Sequence, residues 1–136
     1  MSKNSRQRIN RFLWLLVPAA LALNPASVSA TALLKKGEPF SHARAKLLRD
    51  GWKPLETNLK MADGTPERTF GDARDIFKAG YREIEMCTGT GLNYCFFFYT
   101  KHGGCLRLIT QGEYLADYHA EPRVDSWSHQ CPPAGE

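Results

Sequence analysis

The first 86 residues of this 136-residue chain contain no cysteine, and nowhere are two cysteines separated by just two residues. The second absence removes the usual dithiol redox motif. The first leaves no thiol near the amino terminus to carry a lipid. A long hydrophobic span is also missing: the apolar run Phe12 to Leu23 is 12 residues long and interrupted by Pro18, against the roughly 20 residues that cross a bilayer. No G-x-S-x-G elbow occurs, and no glycine-rich loop ends in Lys-Ser or Lys-Thr, so neither an α/β-hydrolase nucleophile nor a P-loop is indicated.

An excess of positive charge is lacking too, although the whole chain has 18 Lys and Arg against 14 Asp and Glu. Lys3, Arg6, Arg8 and Arg11 precede the apolar run, which gives way to small residues ending Val28-Ser29-Ala30. This is the form of a secretory signal peptide over residues 1–30, cleaved after Ala30. Residues 31–136 then carry 18 − 4 = 14 basic against 14 acidic groups. They have no net charge with which to grip a phosphate backbone, and no nucleic-acid partner is expected. A 106-residue mature chain is one domain with a modest core, for which covalent staples matter. The expected location is periplasmic or secreted, with no retained membrane span.

All four cysteines, Cys87, Cys95, Cys105 and Cys131, fall in that mature part, and an even count in a small exported domain predicts two disulfides. Residues 81–86 alternate polar and apolar, while 95–100 and 105–110 are aromatic and β-branched. Between the last two runs, Lys101-His102-Gly103-Gly104 signals a hairpin. If Thr100 faces Cys105, Cys95 and Cys105 stand about 16 Å apart at roughly 3.3 Å per residue, too far for a disulfide. The same register sets Cys87 beside Cys95. The surviving pairing is Cys87–Cys95 with Cys105–Cys131, which brings residues 123–131 back as a fourth strand with Val124 and Trp127 as its apolar members.

Ahead of the strands, residues 37–52 read as a helix with Pro39 in its first turn and Phe40, Ala43 and Leu47 at helical spacing. Gly51 ends it, and Leu47 with Trp52 fits the contact of a Schellman cap. A second helix is predicted from Asp72, as cap, to Ala79, with Gly80 as its stop. Residues 53–70 read mainly as loop. The fold class is therefore α+β: one or two N-terminal helices on a three- to four-stranded antiparallel meander. In this register one sheet face gathers Ile84, Met86, Phe96, Phe98 and Ile109. The other gathers Phe97, Tyr99, Leu106 and Leu108 beside Glu83 and Glu85, and is either covered by loops or open to a partner.

Chemistry-bearing patterns are few. In Cys87-Thr-Gly-Thr-Gly-Leu-Asn-Tyr-Cys95 the position that would complete a dinucleotide fingerprint is Tyr94, and no helix follows. His102 and His129 lie close in sequence to Cys105 and Cys131, but those sulfurs are expected in disulfides, so no metal is expected. No cofactor is indicated. Glu83 and Glu85, two residues apart on one strand, would stand about 6.6 Å apart, within reach of paired-carboxylate chemistry. Used with a histidine, they define the alternative reading, a small secreted hydrolase.

The segments "PFSHARAKLLRDGWKP", "EIEMCTGTGLNYCFFFY" and "LRLITQGE" together resemble a group of uncharacterised small exported bacterial proteins. These share a helix ending Gly-Trp-x-Pro, a Cys-(Ser/Thr)-Gly-Thr-Gly-x3-Cys loop and a strand ending Thr-x-Gly. The resemblance covers most of residues 39–113, leaving Cys105, Cys131 and the tail outside the shared pattern. It implies an exported domain and no activity. The leading expectation is a non-enzymatic binding or structural module of the envelope or exterior, contacting an unknown protein or envelope component. Its candidate surface comprises Leu92, Tyr94, Phe97, Tyr99, Leu106, Leu108, Glu83 and Glu85.

Overall fold

The structure, a computed structural model, describes residues 30–57 and 71–133. Apart from Ala30, the expected signal peptide lies outside these residues, as does most of the segment read as loop. Within them the order is α1 (Ala30–Leu33), α2 (Phe40–Arg49), β1 (Lys53–Pro54), α3 (Asp72–Lys78), β2 (Ile84–Cys87), β3 (Tyr94–Lys101), β4 (Gly104–Gln111), a 3-10 turn (Ala116–Tyr118) and β5 (Arg123–Ser128).

Helix α2 buries Phe40, Ala43 and Leu47, and the Phe40 ring stacks on Phe97 of β3 at 4.1 Å between centroids. Pro39 is the residue before the helix rather than its first. No side chain next to it caps the free N–H groups. Glu121 does so from 80 residues away, accepting from the Ser41 N–H at 2.7 Å and the Ser41 hydroxyl at 2.8 Å. The carboxyl end follows the Schellman pattern: Trp52 N–H donates to Leu47 O at 3.0 Å and Gly51 N–H to Leu48 O at 3.1 Å. Gly51 takes φ +89°, an angle costly for any residue with a Cβ. Helix α3 stops in the same way, through Tyr81 N–H to Ile76 O at 3.3 Å and Gly80 N–H to Phe77 O at 3.0 Å. Its amino end departs from expectation: Gly71 is the cap residue and Asp72 already lies in the helix.

The sheet is antiparallel and has five strands rather than three or four. Strands β2 to β5 form the meander, and β1, of two residues, joins the same edge of β3 as β2. Pro54 is tolerated there because an edge strand has one row of N–H groups without a ladder to make. Thr100 faces Cys105 and Cys87 faces Cys95, and the disulfides are Cys87–Cys95 and Cys105–Cys131, with Cα separations of 4.0 and 4.8 Å. Two covalent staples are consistent with an extracytoplasmic protein. Among the described residues no helix is long and apolar enough to cross a membrane.

Two irregularities decide which face is core. In β2 the register shifts between Ile84 and Met86, so Ile84 pairs with Phe97 and Met86 with Phe96, on opposite faces. In β5 a shift beside Asp125 lets Val124 and Trp127, three residues apart, face Thr110 and Leu108 on one side. The buried side is Ile84, Phe97, Tyr99, Leu106, Leu108 and Val124, under α2 and α3. This corrects the expected place of Ile84, which joins Phe97, Tyr99, Leu106 and Leu108 instead of Met86 and Phe96, and shows which of the two faces is covered. Phe97, Tyr99, Leu106 and Leu108 are core, whereas Phe96, Arg107 and Ile109 belong to the outer face, where the Arg107 guanidinium lies 4.5 Å over the Phe96 ring.

Candidate functional site

The loop between β2 and β3 is built for a fixed shape. The Cys87–Cys95 disulfide ties its feet, and Gly89 and Gly91 take φ +69° and +62°. Asn93 also takes a positive φ, +47°, a region that asparagine tolerates better than most residues with a side chain. Its side chain is the centre of a network. Oδ1 accepts from the Gly89 N–H at 3.0 Å, while Nδ2 donates to Asp72 Oδ2 at 2.6 Å and to Gly112 O at 3.3 Å. Asp72 Oδ2 also accepts from Tyr114 N–H at 3.1 Å. One amide thus links the loop to α3 and to the segment after β4. An aspartate would lose both donors and set a second carboxylate against Asp72.

Thr88 adds a clasp at the base, its backbone N–H donating to Tyr94 O at 2.8 Å and its hydroxyl accepting from Tyr94 N–H at 3.0 Å. The Gly112 N–H then joins the loop to the other side through Leu92 O, at 3.0 Å.

Two clefts open at this end of the sheet. The first, about 310 Å³, lies between the loop and the start of α3, with Asp72, Thr90 and Glu113 on its walls. The second, about 290 Å³, lies between the end of α3 and residues 114–118, with Asp75, Tyr114, Asp117 and Tyr118 around it. Beside them stand three of the large apolar side chains left exposed: Leu92 at 56%, Leu115 at 41% and Tyr118 at 80%. Both hydroxyl-bearing rings and all four carboxylates of the two clefts are therefore within one end of the molecule.

Of the residues expected at a binding surface, the structure leaves Leu92 exposed and Tyr94 half-buried. Phe97, Tyr99, Leu106 and Leu108 are fully buried and cannot meet a partner from within the core. Glu83 is also fully buried; it precedes β2 instead of alternating with Glu85 along it. Its Oε1 accepts from Arg44 Nε and from the Tyr99 hydroxyl at 3.1 Å. Burial, and secondly the negative charge of Glu83, push the Tyr99 phenol well above its ordinary value. Burial alone would loosen the Arg44 proton, but the bond to Glu83 and its charge outweigh this, so the guanidinium is held charged more firmly than in water. Glu83 is thus a structural anchor between α2 and β3.

Glu85 sits half-buried at the β2 irregularity and lines neither cleft. His42, His102, His119 and His129 are exposed, and the His129 ring lies 6.1 Å from that of Trp52. The paired-carboxylate arrangement with a histidine is not assembled among the described residues, nor do three His, Cys, Asp or Glu gather there as a metal-holding group. Sequence reasoning missed Asn93, Asp72, Leu115 and Tyr118. The signal for Asn93 was its place between two glycines and a disulfide foot; Asp72 was legible only as a helix cap, the role that Gly71 fills.

No protein-family model, curated protein or solved structure matches this chain.

Proposed function

We propose that the protein is a small exported binding module, without catalysis, that meets a protein of the cell envelope or exterior through the end of the sheet formed by loop 87–95, α3 and residues 112–118. The observation that carries this reading is the combination of exposed Leu92, Leu115 and Tyr118 with a backbone pinned beneath them by Asn93. Exposed apolar groups cost solubility, and a fixed scaffold lowers the entropy lost when they are covered. Tyrosine is among the residues that dominate interface energies. The basic, apolar and small-residue order of residues 1–30 supports export. So do two disulfides and the resemblance to small exported bacterial proteins.

The test is affinity capture from the native envelope with the wild-type protein, Leu92→Asp and Tyr118→Ala. The expected result is a specific partner retained by the wild type and lost, or weakened at least about tenfold, by Leu92→Asp. Retention of the same partner by both variants at wild-type level overturns the assignment of this surface.

A further inference from the structure

The second cleft has a composition suited to one kind of group, and this inference rests on the sheet end being the docking surface. Tyr114 and Tyr118 give aromatic walls, Ala79, Leu115 and Ala116 apolar ones, and Asp75 and Asp117 carboxylates. The adjoining cleft adds Asp72 and Glu113 and no basic residue. The linings of the two clefts together hold four carboxylates and one basic residue, Lys78. This imbalance is local, since residues 31–136 hold equal numbers of acidic and basic groups, 14 of each after 18 − 4. Surroundings of the same sign are felt at the wall itself, where desolvation, then Tyr81, Asp75 and Glu121, raise the Tyr114 phenol.

We propose that this cleft receives an arginine or lysine side chain from the partner protein, its stem against Leu115 and the tyrosine rings and its charged head at Asp75 and Asp117. Such side chains have an apolar stem and a cationic head, matching the mixed lining. A guanidinium also stacks on an aromatic face and takes a carboxylate in two parallel hydrogen bonds. Arg74 competes weakly, its Nε 3.7 Å from Asp75 Oδ1 with both side chains more than half exposed. A pair so exposed is readily exchanged for another. An apolar anchor would cover Asp75 and Asp117 with only the exposed Arg74 and Lys78 nearby to answer them, and an acidic one would meet repulsion.

The experiment uses the full mature protein, labelled with nitrogen-15, titrated with N-acetyl-arginine amide and, separately, with the neutral isostere N-acetyl-citrulline amide. Saturable amide shifts are expected at Asp75, Lys78 and 114–118 with arginine, at millimolar concentration, with citrulline binding about tenfold more weakly. The double variant Asp75→Asn, Asp117→Asn, checked for an unchanged spectrum elsewhere, should lose the arginine response to a similar degree. Equal binding of both probes, or no shifts at these amides, overturns the proposal. If that happens while Leu92→Asp still abolishes capture, the docking surface stands without its cationic contact. If Leu92→Asp leaves capture intact, it is the docking surface that fails.

Discussion

The two connections at the ends of β3 both join neighbouring antiparallel strands, and they are held in different ways. The β3–β4 turn closes with Lys101 opposite Gly104, and its two central residues, His102 and Gly103, take φ +49° and +78°. Positive φ at both positions is what a tight hairpin turn requires. Thr100 Oγ1 adds a local bond to Gly104 O at 3.0 Å, and the outside ties sit on the flanking strand residues, Lys101 Nζ donating to Asp50 Oδ2 at 2.8 Å and Cys105 bonded to Cys131. The β2–β3 loop has its feet joined directly to each other by a disulfide, and its Asn93 reaches Asp72 and Gly112, groups 21 and 19 residues away. The difference lies within the loops: the β3–β4 reversal itself is made by two residues at positive φ, whereas the β2–β3 loop is tied down from inside, at Gly89, Leu92 and Asn93. The extra constraints hold Leu92 and the two clefts in place, which is the requirement of a recognition surface.

Variants at the two ends sharpen this contrast, the largest effect coming from the staple. Replacing Cys87 and Cys95 together by serine should lower unfolding stability by about 2.6 kcal/mol, the chain-entropy value for a nine-residue loop. Chemical denaturation would measure it. Asn93→Ala removes three side-chain hydrogen bonds and puts alanine at positive φ, so a loss of about 2 kcal/mol is expected, with broadened amide signals at 88–92 and 112–114. At the other end, Gly103→Ala meets only the positive-φ penalty, about 1 kcal/mol, because nothing lies within 4 Å of the added methyl. Partner capture should be unchanged.

A pH-dependent effect belongs to the turn half of β3. Tyr99 has a folded-state phenol raised above the unfolded value near 10, so the folded form keeps its proton longer. Its contribution is complete below pH 10 and lost as pH rises beyond it, by up to about 1.4 kcal/mol per pH unit. Tyr99→Phe should cost about 1 kcal/mol at pH 7 and flatten the alkaline part of the stability curve, followed by thermal melts from pH 8 to 11. The smallest stability change is expected for Leu92→Asp, within about 0.5 kcal/mol, since that side chain is mostly in solvent. Loss of binding with intact folding is its distinguishing outcome.

Much of the frame was legible because it depends on short-range rules. Gly51 and Gly80 stop their helices, the Lys101–Gly104 link sets the register, and that register leaves one disulfide pairing by distance alone. The α+β class and both staples follow. What was not legible arises from single inserted residues and long-range partners. A shift beside Glu85 moved Ile84 to the other face of the sheet, and one beside Asp125 brought Val124 and Trp127 together. Each changes which side chains share the buried face. Glu83 read as a solvent-facing strand residue because its partner, Arg44, lies 39 positions earlier. The site was visible as a loop with glycines and cysteines, but its organiser was not: Asn93 matters through Asp72, which no local pattern connects to it.

The central claim is that the β2–β3 end of the molecule meets a partner and the β3–β4 end does not. A photo-crosslinking residue placed at position 92, and in a second protein at position 102, tests it directly in cells of the native host. Both positions are exposed, so access to solvent does not favour either. A discrete protein adduct from position 92, absent from position 102 and lost when Tyr118→Ala is added, is the predicted result. Adducts of equal yield from both positions, or from 102 alone, would contradict it.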